Sequence, residues 1–134
     1  MNRNRKLDIT LEPRTHYAYV VAVVTGPTRT VEAKMGIDTG MARTCLDRRI
    51  ADVLGIDPSA FVKETLSAVG GPADAARARL DRVSILDREL ENVNVLFAEF
   101  SHCDGLLGND WLDRFNLLAV IDVRKRYAPL VLRS

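Results

Sequence analysis

The chain has 134 residues, enough for one domain with a complete hydrophobic core and too few for two ordinary domains. Hydrophobic residues make up 47% and charged residues 28%, which excludes a disordered chain, a collagen and a disulfide scaffold. The net charge of +1 supplies no general field for nucleic acid or an anionic membrane, so neither is expected as a partner. We predict a single domain over residues 1–134.

The N-terminal region and the cysteine pattern predict a cytoplasmic protein. The longest apolar run, Tyr17 to Val24, is far shorter than the roughly 20 residues that a membrane span needs. Asp8 and Glu12 interrupt the region where a signal peptide would need an apolar core. Cys45 and Cys103 form no CxxC pair and the chain has only two histidines, so we expect reduced thiols, no metal and no cofactor.

The first half of the chain predicts two strands and a helix. Tyr17–Thr25 is rich in β-branched residues and ends at a Gly26-Pro27 turn, and Thr30–Ile37 then alternates strictly between apolar and polar residues. Asp47–Leu54 has the apolar spacing of a helix. Its first residue is suited to be the N-cap, and Gly55 is suited to be a left-handed C-cap residue.

A long β-hairpin is predicted next. Its arms are Phe61–Val69 and Ala75–Leu86, joined by a Gly70-Gly71-Pro72 turn. The apolar alternation of the second arm slips by one residue between Leu80 and Val83. This slip predicts either a β-bulge or a strand that passes between two sheets.

The last third of the chain predicts more strands and a second short helix. Leu90–Phe100 has the composition of a strand, and Asp110–Phe115 could form the helix, with Asp110 and Asp113 as capping and surface charges. Leu117–Val123 and Ala128–Leu132 predict a closing hairpin. The predicted fold class is therefore all-β, with one or two short helices.

Two motifs point to a chemical function. The apolar segment Met35-Gly36-Ile37 leads into Asp38-Thr39-Gly40, which places a carboxylate at the end of a strand on a tight turn. About sixty-five residues later follows Gly105-Leu106-Leu107-Gly108, just before the second helix. With the glycine-rich hairpin between them, these motifs resemble the retropepsin-like aspartic proteases, and the resemblance covers about residues 30 to 132.

The resemblance implies a closed β-barrel with a flap hairpin and an aspartic endopeptidase that acts on peptide or protein substrates. Asp38 would be the catalytic residue. The residues implied as active-site support are Thr39, Gly40, Leu106, Leu107 and Gly108. Those implied as substrate-binding are Met41, Ala68, Val69, Gly70 and Gly71.

The enzymes of this type use two carboxylates that share one proton, whereas this chain has one Asp-Thr-Gly motif. A two-fold homodimer would bring two copies of Asp38 together. We expect the extended segments Leu7–Glu12 and Leu130–Arg133 to contribute to the dimer contact, because unpaired edge strands invite pairing.

Two positions depart from the family pattern. Met41 stands where Ala or Ser is usual, and Asn109 stands where retroviral members have Arg, so an ion pair typical of those members would be missing. The Met41 departure leaves open a non-catalytic dimerisation or peptide-binding module with the same fold. An unrelated all-β domain and a nucleophilic Cys45–His102 pair are further alternatives, the latter without local sequence support.

Overall fold

In the computed structural model, the described residues are 5–7, 18–68, 71–100, 103–119 and 130–132. Within this part of the chain there are ten strands, two α-helices and one turn of 3-10 helix at Pro58–Ala60. The strands are β1 (Arg5–Leu7), β2 (Tyr19–Thr25), β3 (Thr30–Ile37), β4 (Cys45–Asp47), β5 (Val62–Ala68), β6 (Gly71–Ile85), β7 (Arg88–Ala98), β8 (Gly105–Leu107), β9 (Leu117–Ala119) and β10 (Leu130–Leu132). The helices are α1 (Arg48–Leu54) and α2 (Asn109–Arg114).

Six strands close into a barrel in the order β2, β3, β8, β4, β7 and β6. The barrel closes where β6 pairs with β2, from Ala22 opposite Ile85 to Thr25 opposite Arg82. Among the described strands, β5 pairs only with β6 and is therefore the outer arm of a hairpin at the edge of the sheet. The predicted all-β class, closed barrel and short helices are confirmed.

The barrel interior is filled by the apolar residues that alternate along the strands. In β3, Ala33, Met35 and Ile37 are buried, while Glu32 and Lys34 are exposed. This alternation follows because successive side chains of a strand point to opposite faces. Helix α2 closes one end of the barrel with Trp111 and Phe115, each only 1% exposed.

Helix α1 has the caps that its sequence predicts. The Asp47 side chain accepts a hydrogen bond from the Arg49 backbone N–H at 2.9 Å, and Gly55 has the left-handed φ of 76°. A Cβ at Gly55 would lie 2.4 Å from the Thr28 hydroxyl oxygen, so glycine is required there for space as well as for conformation.

The slip in the hairpin's second arm results from a strand that changes neighbours. The pairing of β6 with β7 keeps one register from Ala76 to Ile85 and is interrupted only where Asp81 faces Asn92, whose φ is 55°. The apolar alternation shifts at the same place in β6 and β7, and neither strand has an extra residue relative to the other. The bulge alternative is therefore wrong. The first part of β6 pairs with β5 and the last part with β2.

The two chain ends form a separate three-stranded sheet, in which β10 lies between β1 and β9. The antiparallel pairing of Leu130 with Ala119 confirms the predicted closing hairpin at the ends of its arms. Leu130 also pairs with Leu7 of β1. Leu130–Leu132 thus has a strand on each side and is not an unpaired edge, while the expected dimer contact of Leu7–Glu12 and Leu130–Arg133 stays a prediction. Residues 8–12 and Arg133 lie outside the described residues.

Candidate active site

Asp38 lies where β3 meets the short parallel strand β8. Ile37 is opposite Leu107 in this parallel pair, and the backbone N–H of Asp38 donates to the Leu107 carbonyl at 3.0 Å. Leu107 is fully buried. The end of β3 is thus fixed from the barrel side, while the Asp38 side chain, half-buried, emerges from the barrel on the following turn.

The turn holds the Asp38 carboxylate in one orientation. The Gly40 backbone N–H donates to Asp38 Oδ1 at 2.9 Å, and the Met41 N–H donates to the Asp38 carbonyl at 3.2 Å. A Cβ at Gly40 would lie only 3.2 Å from the same Oδ1. The glycine thereby leaves room for the carboxylate, while Thr39 beside it is exposed.

Gly108 lies directly beneath the loop formed by residues 38–43, which we call the active-site loop. A Cβ on Gly108 would lie 2.7 Å from the Arg43 carbonyl carbon and 3.0 Å from the Met41 carbonyl oxygen. Both contacts involve backbone that has no room to move. The backbone of Leu106 pairs with Gly36, so all three residues of Leu106-Leu107-Gly108 lie against β3 or the loop.

Two polar residues of α2 anchor the same loop. Asn109 Nδ2 donates to the Thr39 carbonyl at 2.8 Å, and the Asn109 backbone N–H donates to the Met41 carbonyl, also at 2.8 Å. Asp110 Oδ1 accepts from both the backbone N–H and the hydroxyl of Thr44, at 2.8 and 2.7 Å. Asp110, predicted with Asp113 as a capping and surface charge, accepts the Trp111 backbone N–H at 2.8 Å and in addition braces the end of the loop.

The inner face of the β5–β6 hairpin lies beside the active-site loop. A small apolar cluster of Cys45, Ala75, Leu96 and Ala98 is buried on this side of the sheet. Met41 from the loop and Leu66 from β5 pack against that cluster. The loop and the hairpin together form one apolar wall, and Asp38 precedes Met41 of this wall by three residues.

A charged cluster continues this wall. Glu64 of β5 forms ion pairs with Arg43 of the loop and with Arg77 of β6, the latter with a distance of 2.9 Å between Arg77 Nε and Glu64 Oε1. The hydrogen bond from Arg43, together with that from Arg77, lowers the pKa of Glu64 against the opposing effect of burial. Glu64 is thus held as a carboxylate between two guanidinium groups.

Residues 24–114, about two thirds of the chain, match a family model described as "gag-polyprotein putative aspartyl protease". The chain belongs to this retroviral-type aspartyl protease family. Its structure resembles the crystal structure of a retropepsin-like aspartic protease from Rickettsia conorii, with a TM-score of 0.71 and 25% sequence identity, over 96% of this chain and 91% of that chain. No curated protein matches it. The resemblance inferred from the two motifs is confirmed.

The hairpin at the position of the family's flap is only partly within the described residues. Ala68 ends β5 and pairs with Gly71, the first residue of β6, which has a φ of 110° that favours glycine. Val69 and Gly70 lie outside the described residues. The substrate-binding roles of these four residues stay predictions.

Cys45 has the wrong environment for a protease nucleophile. Its side chain is fully buried, and this burial, with a smaller contribution from Asp110, raises the pKa of the thiol to about 11. The thiol is therefore neutral at physiological pH, which argues against a Cys45–His102 pair; His102 lies outside the described residues. Among the described residues, no three Cys, His, Asp or Glu side chains are grouped as metal ligands.

The described residues contain no helix that is both long and apolar enough to span a membrane.

Proposed function

We propose that the protein is an aspartic endopeptidase that hydrolyses peptide bonds with two Asp38 carboxylates, one from each chain of a homodimer. The placement of Asp38 carries the proposal. Its carboxylate sits at the end of a barrel strand and is oriented by the Gly40 N–H. We assign the apolar wall that contains Met41 to one side of the substrate cleft. Membership of the aspartyl protease family supports the same reaction.

The homodimer follows from the number of carboxylates. The sequence has one Asp-Thr-Gly motif, whereas the reaction needs an ionised and a protonated carboxyl group side by side. A two-fold axis near Asp38 supplies the second group from an identical chain. Thr39 is exposed next to it, where its hydroxyl could donate across the axis. Within the described residues, β1 pairs on one side only, with β10, and we assign its other edge to the contact between chains.

The two carboxyl groups divide the work of hydrolysis. The ionised one removes a proton from a water molecule as the water oxygen attacks the peptide carbonyl carbon. The protonated one donates a hydrogen bond to the carbonyl oxygen, where negative charge develops. The carbon–nitrogen bond then breaks as a proton passes to the leaving nitrogen, which restores one shared proton in the pair.

The second candidate is a module of the same fold that binds peptides without cleaving them. Met41, in the position usually held by Ala or Ser, is the feature that favours it. However, Met41 packs against the apolar cluster around Cys45. This packing supports a role as part of the cleft wall, which both candidates share, and the digest described next separates them.

The test is a digest of a denatured peptide mixture at pH values from acid to neutral, with wild type and with Asp38→Asn. We expect cleavage by wild type alone, with the same fold in both proteins, because Asn keeps the shape of Asp but cannot act as a base. Cleavage by Asp38→Asn at the wild-type rate would reject the catalytic assignment. Peptide binding without cleavage by either protein would favour the second candidate.

We also propose that the protein acts in the cytoplasm. Cys45 and Cys103 are both free thiols, as is usual in a reducing compartment.

A further inference from the structure

The charged cluster of Arg43, Glu64 and Arg77 is not needed for the hydrolysis described above, yet it lies beside the catalytic loop. Two guanidinium groups share a single carboxylate, so the cluster has a formal charge of +1. The sequence as a whole has almost equal numbers of basic and acidic residues. The excess of positive charge at this place is therefore local to the cleft.

The cluster occupies the same wall as the apolar residues of the cleft. Along β5, Glu64 precedes Leu66 by two residues, and residues two apart in a strand point to the same side of the sheet. Arg43 belongs to the loop, and its ion pair with Glu64 places its guanidinium group on that side. Met41 and Leu66 both pack against the apolar cluster, and Arg43 and Glu64 are paired with each other. A peptide that passes along this wall meets an apolar part and then a charged part.

Within the part of the chain that the structure describes, the two arginines keep donors free for a ligand. A guanidinium group has five N–H donors, whereas Arg43 uses Nη1 and Arg77 uses Nε to bind Glu64. Their side chains are 41% and 38% exposed, compared with 24% for Glu64. Glu64 thus holds both groups in place from the protein side and leaves their other edges open to the cleft. Such edges match the two oxygens of a carboxylate.

We propose that Arg43 and Arg77 form a subsite that selects an Asp or Glu side chain of the peptide substrate, with Glu64 as the internal competitor for both arginines. This inference rests on the proposed function, since it names the substrate class of the same cleft. In the homodimer the subsite occurs twice, once in each chain. The selection acts on a side chain of the bound peptide and does not change the chemistry at Asp38.

The test compares pairs of peptides that differ only by Glu or Gln, with that residue moved one position at a time along the peptide. Binding is measured by fluorescence anisotropy with Asp38→Asn, which binds without cleavage, and kcat/KM is measured with wild type. We expect about a tenfold preference for Glu at a defined position, the size expected for a hydrogen bond to a charged group. Every ratio is taken within one protein, so general losses of stability cancel.

Three variants, each made in the wild-type protein and in Asp38→Asn, separate selection from a structural role. Arg43→Gln and Arg77→Gln should each reduce the Glu preference, whereas Glu64→Gln should increase it because both arginines lose their competitor. If the cluster were purely structural, all three variants would change the ratio of Glu-peptide to Gln-peptide binding in the same direction or leave it unchanged. Arg29→Gln is the matched control, since Arg29 is exposed in the turn between β2 and β3 and should leave the ratio unchanged.

Two outcomes distinguish this inference from the proposed function. Equal binding of the Glu and Gln peptides at every position would overturn the inference, even if wild type cleaves both. Selective binding of Glu peptides by Asp38→Asn, with no cleavage by wild type, would keep the subsite and reject the endopeptidase. A Glu preference that is as large in Arg43→Gln and in Arg77→Gln as in the protein with both arginines would also overturn the inference.

Discussion

Thr44 and Asp110, 66 residues apart in sequence, are joined by two hydrogen bonds to a single carboxylate oxygen. The Thr44 hydroxyl also accepts the Gly108 backbone N–H at 2.9 Å, and the side chain is fully buried. The end of the active-site loop and the start of α2 are thereby fixed to each other. Because β3 and β8 hold the loop at its other end, the orientation of Asp38 depends on this pair.

Thr44→Val should lower the free energy of unfolding by about 2–3 kcal/mol, because it leaves the buried Gly108 N–H without its acceptor and removes one of the donors to Asp110 Oδ1. Thr44→Ser is the control, since it keeps the hydroxyl and should cost only about 1 kcal/mol for the lost methyl group. Urea denaturation measures both values. Equal losses in the two variants would show that the hydroxyl contributes nothing.

The two glycines near Asp38 should respond to substitution in different ways. Gly108→Ala should cost about 2 kcal/mol of unfolding free energy, because its Cβ would overlap backbone atoms of Met41 and Arg43. Gly40→Ala should cost less than about 1 kcal/mol because Gly40 is exposed. Its Cβ would press on Asp38 Oδ1 and should reduce the rate of cleavage about tenfold.

Denaturation curves and peptide cleavage, measured on both variants, check this pair of expectations. A Gly40→Ala protein with the wild-type rate would mean that the carboxylate orientation is not critical.

Much of the fold could be predicted from local sequence patterns, because strand alternation and helix caps depend on residues that are close in sequence. Thr30–Ile37 forms a strand with the bounds that its alternation predicts, and α1 has both predicted caps. The β8 strand was not predicted as a strand, since three residues are too few to show a period. Closure of the barrel by β2 and β6 is likewise absent from any local pattern, because it joins residues about sixty apart.

The candidate site shows the same limit. Asp38 and Gly108 belong to motifs that can be recognised along the chain, whereas the partner of Asp110 depends on how β8 brings α2 to the loop. The ion pairs of Glu64 depend on the register of the hairpin and on where the loop crosses it. An acidic residue at the start of a short helix predicts a cap or a surface charge, whereas the bonds of Asp110 to Thr44 cannot be predicted from composition.

Asp47 should make part of the stability dependent on pH. Burial alone would raise the pKa of its carboxyl group, but hydrogen bonds from the Arg49 side chain and from the Arg49 and Phe100 backbones outweigh burial and lower it. A carboxyl group with a lowered folded pKa contributes stability above its unfolded pKa of about 3.9. That contribution is lost as the pH falls through the folded pKa.

Asp47→Asn should therefore be less stable than wild type by about 1 kcal/mol at neutral pH, a small value because the Arg49 side chain is mostly exposed. The difference should shrink as the pH falls below about 4. Urea denaturation at several pH values measures it. Asp52→Asn, an exposed position on the same helix, is the control and should show no such trend. A difference that is constant with pH would contradict the expectation.

The final prediction concerns the sharing of one active site by two chains. Each chain contributes one Asp38, so a mixed dimer of wild type and Asp38→Asn has a single ionisable carboxylate and should be inactive. Adding an equal amount of Asp38→Asn to wild type doubles the number of dimers, and after free exchange about a quarter of them contain two wild-type chains. The cleavage rate should therefore fall to about half of its value before the addition. Adding the same amount of wild type should double it. The two additions are made after incubation long enough for the chains to exchange, and at concentrations where sedimentation shows dimers. A rate that Asp38→Asn leaves unchanged after complete exchange would mean that each chain cleaves by itself. In that case the second carboxylate would have to come from elsewhere in the same chain.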